Sequence, residues 1–427
     1  MSLGLRLRAQ LPNPAETAES FFSRIENWLR NRCMEMWPTT RQEITESIST
    51  LFCSIHPAAE DFELALVGPT ELVVSANTST AGPGYHVFLT SLLKELASEL
   101  EASWENPGDD SDEFSDETGY FFSGDEALLR SEMTRWLSEL AGTFFDGTFE
   151  PDDLPIALCM PLNPHFEWDA AALTALGPRD LEWLKRTSQD GERGMDFWAW
   201  PSPGFTADYY LRRALVRMWS EARWRSPVSE SGSRILREVA DCLKRAHELD
   251  PTLDFPWSEW KQVLDLLGED RPELSLVASK SVETPAIGYR RKNVKVTLPG
   301  GWQITVPGSF GDFEPDQEGD YCALNPPEEI WFTAYHRSGT QAESFQVARK
   351  RMKKERADFR TDREDYSAQA SVTAGKNKSA EPYFVLRSSN LAPNARSVCT
   401  IVFPHPDRRD WAVETWRSLE PPRPSAP

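Results

Sequence analysis

The chain has 427 residues and a formal net charge of −21 at pH 7. This length is too great for one ordinary hydrophobic core, so two or three domains are expected. With 40% hydrophobic and 11% aromatic residues, the composition excludes a wholly disordered chain, and no window approaches the roughly 18 apolar residues of a membrane-spanning helix.

The charge is divided unevenly along the chain. Met1 to Asp270 contain 23 basic and 47 acidic residues, a net charge of −24, whereas Arg271 to Pro427 have a net charge of +3. An acidic body repels nucleic acid and anionic membrane at long range. We therefore expect a protein partner with a basic surface, and the charge disfavours nucleic acid and membrane partners.

The pattern of cysteines and the N-terminal residues indicate the cellular compartment in which the protein works. The six cysteines are scattered singly, without a CxxC pair, which is typical of reduced core thiols in a cytosolic protein. The first residues lack an apolar run of signal-peptide length. We expect a soluble, cytoplasmic protein.

The first predicted elements precede residue 62. Residues 1 to about 14 are expected to form a loose leader, and Ala15 to Met36 a helix. A second helix is predicted from about Thr40, because four apolar residues are spaced to pack against the first helix. These are Ile44, Ile48, Leu51 and Phe52.

Phe62 to Trp104 has the clearest local pattern. Two β-type runs, Phe62 to Val67 and Glu71 to Ala76, are separated by Gly68-Pro69, which predicts a hairpin. A polar loop, Asn77 to Gly84, leads into a helix with one apolar stripe. The stripe consists of Tyr85, Phe88, Leu89, Leu92, Leu93, Leu96, Leu100 and Trp104.

This loop is a candidate ligand site, because free amides at a helix N-terminus attract anions and glycines permit close approach. His86 could bind or protonate a ligand there. Neither a Walker phosphate loop nor GxGxxG is present, and hydroxyl capping with a tight turn is the alternative. The candidate residues are Ser79, Thr80, Gly82, Gly84, Tyr85 and His86.

The segment Glu105 to Glu126 contains nine acidic residues and no basic one. Several carboxylates can hold calcium, but Phe114 interrupts the EF-hand spacing and the required glycine is missing. A solvated loop or a docking strip for a basic partner is the alternative. The candidate partner-binding residues are Asp109, Asp110, Asp112, Glu113, Asp116 and Glu117.

The next predicted elements are a helix at Glu126 to Ala141, a strand at Leu154 to Met160, a helix at Ala170 to Arg186, and a strand or tight aromatic turn at Met195 to Trp200. Three helical segments follow between Thr206 and Leu267. Ile235 to Leu267 resembles the second half of a tetratricopeptide-type helical hairpin, with no repeat at a fixed period.

Tryptophans in the same region offer a further alternative. They could line a carbohydrate site with Glu167 and Asp169 as a carboxylate pair, although core packing is the usual role of tryptophans at helical spacing. These tryptophans are Trp198, Trp200, Trp219, Trp224, Trp257 and Trp260.

A domain boundary is predicted near residue 275, where the charge balance changes. Beyond it we predict a hairpin over Pro299-Gly300-Gly301 and a closing helix, Asp410 to Leu419. Between them lie a strand at Ile330 to His336, a helix at Ala342 to Phe359, and strands near Ala368 to Thr373, Tyr383 to Ser388 and Ser397 to Phe403.

This element order, with the segments VTLPGGWQITVP, IWFTAYHR and WAVETWRSL, resembles the PsbP/Mog1-type α/β/α sandwich. The resemblance covers roughly the last 130 residues and includes no catalytic signature. It implies a small antiparallel sheet that binds other proteins.

One predicted helix of this domain carries six basic residues within eight positions, Arg349 to Arg356. Such a run can bind nucleic acid or an acidic protein surface, or can simply be solvated. The acidic remainder of the chain favours a protein or interdomain contact. The candidate partner-binding residues here are Arg349, Lys350, Lys353 and Lys354.

No catalytic residues, cofactor or metal site are predicted. The six histidines stand far apart without HxH or HExxH spacing, and no GxSxG or local Cys-His motif occurs.

The fold class is therefore α+β, with an N-terminal mixed α/β body, a helical subregion and a small antiparallel-sheet α/β sandwich domain. The predicted limits are a leader at 1–14, an acidic domain at 15–205, a helical segment at 206–270, a linker at 271–288, a sandwich domain at 289–422 and a tail at 423–427.

The leading functional hypothesis is a non-enzymatic interaction protein of immunity or adaptor type. One alternative is a hydrolase or small-anion-binding protein using Ser79 to His86, and another is a component of a bacterial defence system.

Overall fold

The computed structural model describes residues 3–15, 17–45, 48–105, 115–145, 156–158, 165–166, 168–269, 286–313, 320–336, 345–376, 381–393 and 395–422. Helices and mainly antiparallel strands alternate along the chain, which confirms the predicted α+β class.

The elements before residue 270 are numbered in chain order. They are β1 (Gly4–Gln10), α1 (Ala18–Arg32), β2 (Thr39–Glu43), β3 (Ile48–Ser54), β4 (Phe62–Val67), β5 (Glu71–Asn77), α2 (Pro83–Glu99), β6 (Ser103–Trp104), α3 (Tyr120–Ser123), α4 (Glu126–Phe145), β7 (Ile156–Ala157), β8 (His165–Phe166), β9 (Ala172–Thr174), β10 (Gly177–Arg179), α5 (Leu181–Gln189), α6 (Ala207–Ser220), α7 (Glu230–Leu249) and α8 (Trp257–Leu267).

The later elements continue this numbering. They are β11 (Asn293–Thr297), β12 (Gln303–Pro307), β13 (Gly311–Phe313), β14 (Asp320–Asn325), β15 (Glu328–His336), α9 (Phe345–Met352), β16 (Phe359–Asp362), β17 (Ser367–Lys376), β18 (Pro382–Ala392), β19 (Ala395–Phe403) and α10 (Arg409–Arg417).

The chain forms two compact units. Unit 1 comprises Met1–Leu162, Trp168–Ala222 and Arg234–Gly288, and unit 2 comprises Asn163–Glu167, Arg223–Ser233 and Tyr289–Pro427. The predicted boundary near residue 275 lies outside the described residues.

The main sheet of unit 1 has the order β2-β3-β4-β5-β1-β6. The prediction of a loose leader is wrong, because Gly4–Gln10 form strand β1, which pairs along its whole length with β5. Leu5, Leu7 and Ala9 are buried, whereas Arg6 is exposed. Period-two alternation over a half-buried strand explains this placement.

The second predicted helix is also wrong. The segment from Thr39 to Ser54 forms strands β2 and β3, paired antiparallel from Thr39↔Ser54 to Glu43↔Thr50. Threonine and isoleucine are frequent there, and β-branched side chains favour strands. Leu51 faces the core, while Ile44 and Ile48 are 46% and 48% exposed.

The hairpin β4–β5 and helix α2 confirm the predicted pattern at Phe62 to Trp104, although the helix ends at Glu99. Helix α4 is likewise confirmed and extends to Phe145. Of the predicted strand Leu154 to Met160, Ile156–Ala157 form β7, while residues 154–155 and 159–160 lie outside the described residues.

The predicted helix Ala170 to Arg186 is wrong in its first half. Strands β9 and β10 form a hairpin there, and Gly177 at its turn has φ +108°. Helix α5 begins only after Asp180, whose side chain accepts a hydrogen bond from the Trp183 amide at 2.7 Å. Met195 lies in a 3-10 helix, Gly191–Phe197, followed by an irregular segment to Trp200.

Helices α6, α7 and α8 confirm the predicted helical region. A buried ion pair joins two of them, with Arg213 of α6 at 2.6 Å from Glu238 of α7. Arg213 also donates to the carbonyls of Met36 and Ile55 at 2.8 and 3.0 Å. This guanidinium therefore connects the helices to two loops of unit 1.

Unit 2 is built on a seven-stranded antiparallel sheet of order β13-β14-β15-β19-β18-β17-β16. The predicted hairpin is confirmed as β11–β12, and the strands predicted after residue 360 are confirmed as β17, β18 and β19. Trp302 and Trp416, on the hairpin and on α10, are fully buried against one face of the sheet.

The predicted helix Ala342 to Phe359 differs from the structure. Helix α9 spans only Phe345–Met352, and Phe359 begins the edge strand β16. The intervening Lys353 and Lys354 lie in a turn. Residues 342–344 lie outside the described part of the chain.

Candidate functional site

His86 in the first turn of α2 makes the most connected polar cluster around the predicted loop. Its Nδ1 lies 2.8 Å from Thr78 Oγ1, and its Nε2 lies 3.2 Å from both Asp116 Oδ2 and Thr118 Oγ1. The side chains of His86 and Asp116 are fully buried. His86, which was a candidate ligand-binding residue, thus contacts the carboxylate of Asp116, 30 positions further along the chain.

Asp116 is held as an anion in this cluster. Burial alone would raise the pKa of its carboxyl, but hydrogen bonds from His86 and from the amides of Phe121 and Thr118 lower that pKa below its ordinary value. The amide contacts measure 2.6 and 2.9 Å. The negative charge is therefore stabilised by the surrounding donors.

A hydroxyl, an imidazole and a carboxylate in a chain are the groups of an activated nucleophile. Thr78 and His86 are both completely buried, however, and a nucleophile must reach a substrate atom. The contacts instead join the loop before α2 to the segment 115–121, which supports a structural role for His86.

The N-terminus of α2 is occupied by protein backbone. The Gly84 amide donates to the Trp200 carbonyl at 2.9 Å, and the Trp200 amide donates to the Ala81 carbonyl at 2.8 Å. The Trp198 indole donates to the Ser79 carbonyl at 3.0 Å. The Gly84 amide, one of those expected to attract an anion, is therefore already bonded.

The two glycines of the loop permit this close packing. Gly82 has φ +109°, and a Cβ on it would lie 2.6 Å from Trp198 Cγ; a Cβ on Gly84 would lie 2.4 Å from the Ser202 carbonyl oxygen. The glycines thus allow the segment around Trp200 to pack on the helix N-terminus.

The other predicted ligand residues are buried too. Ser79 Oγ donates to Asn77 Oδ1 at 2.8 Å and accepts from the Leu3 amide at 3.2 Å. Thr80 is 6% exposed, and Tyr85 is fully buried. Burial raises the pKa of the Tyr85 hydroxyl. All six residues are buried. Four of them contact the segment 198–202 of the same unit, namely Ser79, Gly82, Gly84 and Tyr85.

The candidate partner-binding residues of the acidic segment Glu105 to Glu126 fall partly outside the described residues. Asp109, Asp110, Asp112 and Glu113 lie outside the described residues. Asp116 is buried as described, and Glu117 Oε2 accepts from the Gly4 amide at 2.7 Å. The prediction of a docking role is wrong for Asp116, because its carboxylate is buried and bonded inside the unit. Glu117 is exposed, and its docking role stays a prediction.

Three acidic residues at the other end were missed as candidates. Glu99, Glu101 and Glu105 are exposed, and no described residue forms an ion pair with them. They lie at or just beyond the C-terminus of α2, whose dipole is negative and whose last turn has no basic residue. The sequence signal is the stretch from Lys94 to Arg130, which contains no other basic residue.

A cleft of about 460 Å³ lies beside two of these residues, Glu99 and Glu101. Phe21 and Arg24 of α1 line it together with Glu99, Leu100 and Glu101. Glu101 adopts φ +52°, a left-handed conformation that glycine usually takes at this position after a helix. The cleft combines apolar side chains with two exposed carboxylates and the exposed guanidinium of Arg24.

The basic residues of unit 2 divide into two sets. Arg349 Nε lies 2.7 Å from Asp362 Oδ1, and Lys353 Nζ pairs with Asp362 Oδ2. Lys350 and Lys354 are exposed. Two of the four predicted docking residues are thus bound to a carboxylate of their own unit.

The predicted tryptophans belong mainly to aromatic packing. Trp198 and Trp200 are buried, and Trp200 lies 4.4 Å from Tyr209 between ring centroids. Trp257 and Trp260 stack at 5.4 Å. Asp169 is exposed, and Glu167 lies outside the described residues, so the predicted carboxylate pair stays a prediction.

Two further findings concern metals and membranes. Within the described residues, no cluster of three or more His, Cys, Asp or Glu side chains could hold a metal ion. Helices long and apolar enough to cross a membrane are likewise not found there. Five cysteines are unpaired and buried, as predicted for core thiols, and Cys159 lies outside the described residues.

No protein-family model and no curated protein matches this sequence. Among solved structures, the chain is similar to a protein from Bacteroides thetaiotaomicron VPI-5482, with 17% identity and a TM-score of 0.26. The similarity covers 31% of this chain and 49% of that one, about half its length. A likeness this low carries no argument about fold or function. The PsbP/Mog1 resemblance stays a prediction.

Proposed function

We propose that this protein is a non-enzymatic, cytoplasmic binding protein of bacterial immunity or adaptor type. In this proposal the acidic part of unit 1 engages a partner protein with a basic surface. The observation that carries the proposal is a set of three exposed carboxylates: Glu99 and Glu101 at the C-terminal end of α2, and Glu105 just after β6.

These carboxylates are placed where they cost stability. Negative side chains at the negative end of a helix are unfavourable, by roughly 0.3–1 kcal/mol each at low salt, and this applies to Glu99 and Glu101. A partner that presents lysine or arginine would relieve this repulsion and be attracted at long range. The neighbouring cleft, with Phe21 and Leu100 in its wall, would accept the apolar stem of such a side chain.

The buried cluster around His86 supports the same proposal indirectly. It fixes the part of the acidic segment that begins at Asp116, and the Glu117 carboxylate fixes the same part to β1. This part of the acidic segment is therefore held to α2 and to β1. Binding residues are often positioned by a rigid scaffold.

Affinity capture with the full chain tests the proposal. The bait is exposed to bacterial lysate at about 50 mM and about 500 mM NaCl, salt concentrations at which exposed charges are weakly and strongly screened. We expect a basic protein to be retained at low salt and released at high salt. A triple variant, E99Q/E101Q/E105Q, should bind it on the order of tenfold more weakly.

The matched control neutralises three exposed carboxylates elsewhere, E182Q/E230Q/D254N. It should retain the partner like the wild-type chain. Equal loss in both triple variants, or capture that is insensitive to salt, would contradict the proposal.

A further inference from the structure

The most basic stretch of the chain lies in unit 2. Arg349 to Arg360 contain seven basic and two acidic residues, in a protein whose net charge is −21. The stretch includes the end of α9, the following turn and the first residues of β16. This unit therefore presents positive charge independently of the acidic surface of unit 1.

One carboxylate, Asp362, lies within this positive charge. Arg349 contacts its Oδ1 through Nε at 2.7 Å and Nη2 at 2.6 Å, and Lys353 pairs with Oδ2. The Ser367 side chain also hydrogen-bonds it. Burial would raise the pKa of Asp362, but these donors lower it. The donors form a cradle suited to a carboxylate.

The cradle opens into a cleft of about 330 Å³. Lys353, Arg360 and Ser367 line this cleft together with Met352. The Arg360 guanidinium donates to the carbonyls of Met352, at 3.3 Å, and Glu355. Carbonyl oxygens hold the guanidinium in place without cancelling its charge, so the cleft keeps positive charge beyond what Asp362 neutralises.

Asp362 can leave the cradle at little structural cost. Its side chain is 34% exposed, and it ends β16, the edge strand of the sheet. A rotation of the side chain would expose the carboxylate to water and free Arg349 and Lys353. The Lys353 side chain is 52% exposed, and an ion pair with such a partner contributes little to stability. The Arg349 side chain is 18% exposed, so its pair with Asp362 accounts for most of the cost of this rotation.

We propose that the cleft between α9 and β16 docks a glutamate or aspartate side chain of an acidic segment on a partner protein. In the free protein the Asp362 carboxylate binds the donors of Arg349, Lys353 and Ser367, and the partner carboxylate takes its place when the partner binds. The exposed Lys350, Lys354 and Arg356 attract the rest of the acidic segment. This site is separate from the acidic surface of unit 1.

A hexaglutamate peptide titrated into the full chain at about 100 mM salt tests the proposal. Asp362→Asn removes the competing carboxylate while keeping a similar shape, so peptide binding should tighten roughly fivefold to tenfold. Asp365→Asn removes one exposed negative charge nearby and serves as its control. It should change binding by less than about twofold.

Lys353→Gln should weaken peptide binding on the order of tenfold, whereas Lys376→Gln, an exposed lysine of the same unit, should leave it nearly unchanged. Arg360→Gln provides a second cleft variant if Lys353→Gln lowers the melting temperature. Inorganic phosphate should displace the peptide only at much higher concentration. The reason is that phosphate can fill the cleft but cannot also contact Lys350, Lys354 and Arg356 as an extended acidic peptide does.

Three outcomes would overturn this inference. One is binding to Asp362→Asn that is no tighter than to Asp365→Asn. Another is an equal effect of Lys353→Gln and Lys376→Gln, which would indicate general attraction only. The third is displacement by phosphate at the peptide's own concentration, which would indicate an unselective anion site. None of these results depends on the surface of unit 1.

Discussion

Asp116 shows at the scale of one residue how unit 1 uses a buried charge. The carboxylate accepts hydrogen bonds from two amides and contacts His86. A buried charge is tolerated only where donors replace water. The same contacts remove Asp116 from any docking surface, although it belongs to the acidic run of the sequence.

Asp116→Asn should lower the free energy of unfolding at pH 7 by about 1–3 kcal/mol, because a charged acceptor is replaced by a neutral amide. The folded-state pKa of Asp116 is depressed. Its contribution is therefore present above the unfolded pKa of about 3.9 and is lost as pH falls through the folded pKa.

Urea unfolding of both proteins between pH 7 and about pH 3 checks this prediction. The difference between wild type and variant should shrink as pH falls below about 4. A difference that stays constant over this range would mean that the Asp116 charge does not stabilise the fold. Gln189→Ala, at an exposed site at the end of α5, is the control, and its effect on stability should be small at every pH.

At the scale of an element, β1 is the strand that completes the sheet of unit 1. It lies between β5 and β6, and its alternate residues Leu5, Leu7 and Ala9 are buried. The loop before α2 depends on the same segment, since the amides of Thr78 and Ser79 donate to the Leu3 carbonyl at 3.0 and 3.1 Å. The first residues thus support the buried His86 cluster.

Leu7→Ala should destabilise unit 1 by about 2–5 kcal/mol, because it leaves a cavity at a site that is 1% exposed. Gln10→Ala, at an exposed position of the same strand, should change stability by no more than about 0.5 kcal/mol. Denaturant unfolding followed by tryptophan fluorescence measures both. Equal effects of the two substitutions would contradict the central role of β1.

At the scale of the whole molecule, the unequal division of charge dominates. Many ion pairs of unit 1 are exposed, for example Arg32 with Glu95 and Arg130 with Glu192. Exposed pairs contribute about 0–1 kcal/mol each. They do not offset a net charge of −24 over the first 270 residues, so repulsion should persist in the folded protein.

The free energy of unfolding at pH 7 should therefore rise as NaCl increases from about 20 mM to about 200 mM, because the Debye length falls below the spacing of distant carboxylates. The E99Q/E101Q/E105Q variant should show a smaller rise. Chemical unfolding at several salt concentrations provides the measurement. A fall in stability with salt would show that attractive pairs outweigh the repulsion.

Local patterns predicted many of the elements. The apolar stripe of α2, the turn pair Gly68-Pro69 and the Pro299–Gly301 turn each lie within a few residues, and such signals depend on short-range geometry. The alternation of buried and exposed residues in β1 is equally local, but a single short strand near two prolines is also compatible with the predicted leader. At Thr39 to Ser54, the spacing of apolar residues suggested a helix, while the β-branched side chains favoured the strands that form.

The candidate site was predictable only in part. The sequence by itself determined the position of the Ser79 to His86 loop at a helix N-terminus and the concentration of acidic residues before Arg130. Only the tertiary structure decided that Trp200 covers that N-terminus, that Asp116 reaches His86, and that Asp362 occupies the cradle of Arg349 and Lys353. The physical reason is that a local pattern specifies which face of a segment is apolar or charged. Which distant segment meets that face depends on how the whole chain packs.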